Sequence, residues 1–226
     1  MATFSCSTDP SRPCDSIAPP NCPPRSEDPM MVLLQDFYDP YVASENIDNR
    51  SLDYILSQSD DWLEENHDYI QWLFPLKKGS KYSNTAPRIS EDTQAYMAYH
   101  RRFTEQIRLA LSRMMWFYGF RVAYNPAKGE GFEILNVPSN NGLANPYGRW
   151  LKEDDHNHMR IARMIRSLAR FRMAEEANSV LRAFLDVNRQ WGGQVSKKVI
   201  PFWEDAEVIK SLANSWSEQD ETVIQS

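Results

Sequence analysis

Apolar residues recur at every third or fourth position over several long segments, and this period restricts the chain to a fold built from amphipathic helices. The clearest stripes lie in residues 155–171, where Ile161, Ile165 and Leu168 share one face, and in residues 174–191. The chain has only eight glycines but is 12% aromatic, a composition that favours packed helices over a turn-rich β-sandwich. The predicted fold class is therefore all-α, a single-domain helical bundle.

Helix-capping residues predict where three more helices lie. Ser59 is a candidate N-cap for a helix that ends at Pro75. Ser90 is expected to cap the longest helix, roughly residues 91–118, and a last helix is predicted over 199–215. The first regular helix is expected from about residue 52.

The region after Gly119 departs from the helical period. Two short β-like runs flank a glycine-containing turn, which predicts a small irregular or β-hairpin excursion around residues 120–150. Seven of the fourteen prolines fall in the first 29 residues, a composition typical of a flexible arm. The predicted organisation is an arm over 1–29, a helical domain over 30–215 and a flexible tail over 216–226.

Charge and cysteine content limit the function classes. The net charge of −6 disfavours nucleic acid as a partner, and no run of 18 apolar residues is present to span a membrane. Because the N-terminal segment has no apolar signal-peptide core, a cytoplasmic location is expected, with the nucleus as the alternative. The cysteines Cys6, Cys14 and Cys22 do not have a zinc-ligand spacing, so we expect unconnected thiols rather than a metal cluster.

Four sequence blocks resemble one known family. They are Asn66-His67-Asp68-Tyr69-Ile70-Gln71-Trp72-Leu73-Phe74-Pro75-Leu76, then Asn84, Ala86, Pro87, Ile89 and Ser90, then Phe117-Tyr118-Gly119, and Asn157 to Ile165. Together they resemble the conserved domain of the opioid growth factor receptor family over roughly residues 50–186. The resemblance implies an all-α fold and binding of an opioid peptide by a nucleus-associated protein. Because no repeat array follows this region, the chain is expected to be a stand-alone, fungal-type copy of the domain.

The histidines are the candidates for acid-base chemistry. His67 is expected on an inward stripe near carboxylates, while His158 and His100 are expected to face the core or a cleft. Each has the alternative role of a core histidine that fixes helix packing. His156 and His158 diverge at a helix start, so no metal ion is expected there.

Large aromatic residues and one arginine complete the predicted site. If these rings line a cleft between the helices, an apolar small molecule would contact them. The candidate substrate-binding residues are Trp72, Tyr69, Phe103, Trp116, Tyr118 and Arg160. No phosphate-binding loop, nucleophile elbow or metal-ligand motif is present, so no cofactor is expected.

A basic stripe repeats along the predicted helix 155–171, formed by Arg160, Arg163, Arg166 and Arg170. The stripe is either an anion site or a face that docks on the acidic run between Asp53 and Asp68, and internal docking is favoured.

Two functions remain open. The first is a cofactor-free biosynthetic enzyme of secondary metabolism, of the cyclase, isomerase or pericyclase type, which acts on an apolar small molecule by positioning it. The alternative is a peptide- or protein-binding regulatory module of the opioid growth factor receptor type. The sequence favours the first slightly, because receptor-specific appendages are absent from it.

Overall fold

The computed structural model of the protein describes residues 22–78, 85–125, 130–138 and 143–205. Helices dominate these residues, which confirms the all-α prediction. The elements are α1 (Pro29–Tyr38), α2 (Leu52–Ser57), α3 (Asp60–Glu65), α4 (Ile70–Leu73), α5 (Glu91–Tyr99), α6 (Arg101–Phe117), β1 (Phe120–Asn125), β2 (Glu130–Pro138), α7 (Asn157–Arg170), α8 (Ala174–Gln190) and α9 (Ile200–Trp203).

The two helices with the clearest stripes, α7 and α8, lie where the period predicted them, within two residues at each end. The predicted N-caps are also confirmed. The Ser59 hydroxyl accepts from the Trp62 amide and the Ser90 hydroxyl accepts from the Thr93 amide, each at 3.1 Å. Strands β1 and β2 form the predicted antiparallel hairpin.

The prediction of one continuous helix over 91–118 was wrong. The chain is extended at His100, with φ −97° and ψ 112°, and this residue separates α5 from α6. The break brings the His100 ring to 4.4 Å from the Tyr96 ring and 6.2 Å from the Phe103 ring.

The prediction of one helix from Ser59 to Pro75 was also wrong, since α3 ends at Glu65 and α4 begins at Ile70. At this end, the carbonyl oxygens of Leu63 in the last turn of α3 and of Asn66 just after it accept from the Arg160 guanidinium, at 2.8 and 2.6 Å, instead of from the next helical turn. Hydrogen bonds from Arg160, which is distant in the sequence, therefore replace the local hydrogen bonds that would continue α3.

Helix α1 was not predicted as a helix. Asp28 caps it by accepting from the Met30 and Met31 amides, and Pro29 occupies its first position. The helix is held to α4 because the buried Tyr38 hydroxyl donates to the carbonyl oxygens of Trp72 and Leu73.

The core is a cluster of aromatic rings centred on Phe184 of α8. Its ring lies 4.7 Å from Trp150, 5.0 Å from Phe120, 5.6 Å from Tyr118 and 5.7 Å from Trp203. Because all five side chains are fully buried, this cluster joins α8 to the end of α6, the start of β1 and α9. The prediction of one helix over 199–215 was wrong, since α9 ends at Trp203 and Glu204 and Asp205 are not helical. Residues 1–21 of the predicted arm, residues 206–215 and the tail 216–226 lie outside the described residues, and the domain bounds stay a prediction.

Candidate functional site

Arg160 of α7 is buried, with 6% of its surface exposed, and its guanidinium is the centre of a polar network. One terminal nitrogen donates to the Leu63 carbonyl at 2.8 Å and to Asn157 Oδ1 at 3.1 Å. The other donates to the Asn66 carbonyl at 2.6 Å and to His67 Nδ1 at 2.5 Å. Arg160 therefore binds inside the protein, as was favoured for the basic stripe. Its hydrogen-bond acceptors are mainly backbone carbonyls and not the predicted carboxylates.

Two candidate substrate-binding tyrosines belong to the same network. The buried Tyr69 hydroxyl donates to the Leu63 carbonyl at 3.0 Å, and the Tyr118 hydroxyl donates to Asn157 Oδ1 at 3.4 Å. Burial raises the pKa of both phenols well above the ordinary value, more than the nearby Arg160 charge lowers it. Both therefore stay protonated near neutral pH and act as hydrogen-bond donors.

His67 is exposed, which corrects the expectation that it lies on an inward stripe. The correction follows from the break between α3 and α4, because residue 67 is no longer on a helical face. Its ring lies 5.0 Å from the His156 ring, and His156 Nε2 is 3.5 Å from Glu64 Oε1. Two histidines from distant parts of the chain thus form the surface edge of the Arg160 network.

His156 gives this edge a pH dependence. Burial and the Arg160 charge lower its pKa below 6.5, against the opposite effects of Asp155 and Glu64, and His67 adds to the lowering. The unfolded chain therefore binds a proton at His156 more readily than the folded chain. The stabilisation from neutral His156 is complete above about pH 6.5 and is lost as the pH falls toward the folded pKa. We expect the urea midpoint to drop between about pH 7.5 and about pH 5.5 by less in His156→Gln than in the wild type.

Arg189→Gln is a suitable control for this measurement, because Arg189 is an exposed residue of α8 whose described ion pair, with Asp186, is outside the Arg160 network. It should keep the wild-type pH profile. Equal losses of stability in His156→Gln and the wild type would show that His156 does not contribute.

His158 lies inside the protein, 2% exposed. Its Nε2 is 2.8 Å from the Trp150 carbonyl, so the ring donates there, and its own carbonyl accepts from Trp203 Nε1 at 3.0 Å. The third candidate, His100, is half-buried between α5 and α6, with Cys22 Sγ 4.0 Å from its Nε2. The three candidate catalytic histidines therefore occupy three different environments.

Two of the remaining aromatic candidates are buried against other rings, although the buried Trp72 Nε1 has no hydrogen-bond partner. The fully buried Trp72 lies 5.5 Å from Phe37, and Phe103, 1% exposed, lies 5.8 Å from Tyr96. Trp116 instead is 39% exposed on α6. Contact of these residues with a substrate stays a prediction.

The other arginines of the stripe line a surface cleft of about 380 Å³, called the cationic cleft below. It lies between α7, the segment after α4 and the end of α9. Its described lining residues are Leu76, Lys77, Lys78, Arg163, Arg166, Arg170 and Asp205. Five of these seven carry positive charge and one carries negative charge. The basic stripe predicted from the sequence contains the arginines but not Lys77 and Lys78, although these two adjacent lysines follow the Asn66–Leu76 block directly.

Arg163 is one of the basic residues that line the cleft, and its guanidinium is largely buried. Its Nε donates to the Phe74 carbonyl at 2.8 Å, while one of its terminal nitrogens is buried without a hydrogen-bond partner. Burial lowers the pKa of Arg163 to about 10, so the guanidinium stays charged at neutral pH. Arg166 Nε lies 2.8 Å from Asp205 Oδ2, and Lys77 pairs with Glu91 at the rim.

Comparison with known proteins supplies a family. The sequence profile described as "Opioid growth factor receptor (OGFr) conserved region" matches residues 36–206, more than half of the chain. The chain belongs to this family. Proteins named "Opioid growth factor receptor" from Rattus norvegicus, Mus musculus and Homo sapiens are 29%, 29% and 28% identical to it over 126, 128 and 129 residues. Each match covers 56% of this chain but only 20%, 18% and 17% of the relative, and no solved structure matches significantly.

The opioid growth factor receptor signature corresponds to an interface inside the fold. Arg160 and Arg163, from the block Asn157–Ile165, donate to the carbonyls of Asn66 and Phe74 in the block Asn66–Leu76. The two blocks therefore recognise each other through backbone carbonyls. The Arg160 network lies at one end of this interface and the cationic cleft at the other.

One group in this domain has the composition of a metal site. Glu64, Asp155 and His156 place potential ligand atoms within 4.8 Å of one another. Protein donors already use the Asp155 oxygens, since Lys152 Nζ and the Asn157 amide each lie 2.7 Å away. The expectation of no metal ion stays a prediction. Within residues 22–78, 85–125, 130–138 and 143–205, the helices are too short or too polar to cross a bilayer.

Proposed function

We propose that this chain is a peptide- or protein-binding regulatory module of the opioid growth factor receptor type. The observation that supports this most is the location of the cationic cleft. Leu76 and Arg163, which line it, come from the two sequence blocks that define the family resemblance. An open, charged cleft suits a peptide segment better than an apolar small molecule, which calls for a mostly apolar pocket.

The enzyme interpretation finds no comparable support. It depended on aromatic rings and histidines around a chamber, whereas Trp72, Phe103 and His158 are buried with packing or hydrogen-bond partners. The relatives are named as receptors, and the matched segment covers at most a fifth of each. The activity of those whole proteins therefore enters here only as part of the proposal.

Calorimetric titration of the full chain with an opioid peptide tests the proposal. We expect a saturable one-site isotherm. A peptide of the same composition in scrambled order is the matched control and should give only the heat of dilution. Absence of binding heat with the opioid peptide, at a protein concentration where the chain is folded by circular dichroism, would remove the receptor-type function.

A further inference from the structure

The cationic cleft collects positive charge on a protein whose overall charge is negative. The whole chain has a net charge of −6, yet the described lining carries Lys77, Lys78 and three arginines against the single carboxylate of Asp205. Like charges repel one another, and Asp205 in the lining and Glu91, which pairs with Lys77 at the rim, offset only two of these five. The concentration of charge therefore points to an anionic ligand.

Two arginines elsewhere in the described fold have carboxylate partners. Arg113 lies 2.7 Å from Asp60, and Arg108 lies 2.6 Å from Glu176. Arg163 differs in that its described side-chain hydrogen bond is to a backbone carbonyl and not to a carboxylate. One of its terminal nitrogens is buried without a hydrogen-bond partner, as is one of Arg113. A buried guanidinium N–H without an acceptor is unusual in a folded protein, and a carboxylate is the acceptor that fits its geometry best.

Asp205 indicates how such a carboxylate would bind. Its Oδ2 lies 2.8 Å from Arg166 Nε, so one carboxylate already lies against the basic face of α7. This carboxylate occupies one position and leaves Arg163 and Lys78 available to others, while Lys77 pairs with the exposed Glu91, which a second carboxylate can displace. The volume of about 380 Å³ is within the usual range for ligand sites and accommodates more than one side chain.

We propose that the cationic cleft binds an acidic peptide segment, with carboxylates of the segment paired to Lys77, Lys78 and Arg163. The inference rests on the proposed peptide-binding function and assigns its site and the chemistry of its partner. A nucleic acid fits less well, because the chain's net charge of −6 repels an extended polyanion outside the cleft.

Fluorescence anisotropy with a labelled oligoglutamate peptide, with oligoglutamine as the neutral control, tests the assignment on the full chain. We expect oligoglutamate to bind, and to bind less tightly as salt is raised. Lys77→Gln/Lys78→Gln should weaken binding by about three- to tenfold, because it removes two attractive charges. Asp205→Asn should strengthen binding by about two- to fivefold, because it removes the competing carboxylate.

Lys197→Gln/Lys198→Gln is the matched control, since it neutralises another adjacent lysine pair, exposed and outside the cleft lining. It should change the dissociation constant less than twofold. Unchanged binding in Lys77→Gln/Lys78→Gln, or weaker binding in Asp205→Asn with wild-type thermal stability, would overturn the assignment. The assignment would also be overturned if single-stranded DNA with the same charge as oligoglutamate bound more tightly than the peptide. The same holds if inorganic phosphate, added at the same total charge as the peptide, displaced it.

The outcomes also separate this inference from the proposed function. If the opioid peptide binds and oligoglutamate does not, the proposed peptide-binding function is supported and the assignment of the cationic cleft to an acidic peptide is wrong. If oligoglutamate binds with the expected variant pattern and the opioid peptide does not, the cleft is an acidic-peptide site and the opioid receptor-type function fails.

Discussion

Arg160→Ala is expected to lower the free energy of unfolding by about 3–5 kcal/mol. Arg160 is 6% exposed, and its loss leaves the Leu63 and Asn66 carbonyls and the Asn157 amide oxygen without a charged donor. The two carbonyls lie at the end of α3, where no described helical amide replaces the guanidinium. Urea denaturation followed by far-UV circular dichroism measures the change.

Two further variants make this result specific. Arg189→Ala removes an arginine that is 76% exposed on α8 and should change stability by less than about 0.5 kcal/mol. Arg160→Lys should recover only part of the loss, because a single ammonium cannot donate in both directions of the guanidinium fork. A loss below about 1 kcal/mol in Arg160→Ala would show that the network does not stabilise the fold.

Gly119→Ala is expected to destabilise the protein by about 3–5 kcal/mol, for two reasons that add. Gly119 ends α6 with a φ of +92°, a conformation that non-glycine residues adopt at a cost. A Cβ there would also lie 2.2 Å from the carbonyl oxygen and 2.7 Å from the carbonyl carbon of Pro146. Because those atoms are backbone, the loop that leads into Trp150 must shift. Thermal or urea unfolding of the variant measures the loss.

Gly192→Ala separates the two reasons. Gly192 has a similar φ of +84°, but a Cβ there meets nothing within 4 Å, so the expected loss is only about 1–2 kcal/mol. The difference between the variants is then the effect of the contact with Pro146. Equal losses at the two positions would contradict the close approach of this loop to the end of α6.

Local features of the sequence predicted much of the fold. The stripes of α7 and α8, the N-caps Ser59 and Ser90, and the helix end at Gly119 all depend on residues within one or two turns of each other. The capping pair Asp28 and Pro29 was equally local and would have identified α1. Such features are readable because hydrogen bonds between near neighbours satisfy the backbone at helix ends.

The candidate site was only partly predictable for the opposite reason. The basic stripe of α7 was visible, but one arginine turns into the core while Arg163, Arg166 and Arg170 line the cleft. Lys77 and Lys78 join these arginines in the cleft lining only because of the way the segment after α4 packs on α7. The aromatic candidates suggested a chamber because a ring that packs on a core and a ring that lines a cleft have the same sequence pattern.

The sequence alone determined that this chain is helical, where its strongest helices lie and which family it belongs to, because helix periods, caps and signature blocks are short-range properties. Only the tertiary structure decided that α3 stops at Glu65, that His67 faces outward and His158 inward, and that five positive charges share one cleft. Each of these depends on contacts between residues far apart in the chain, such as Arg160 with Asn66, whose formation depends on the packing of whole helices.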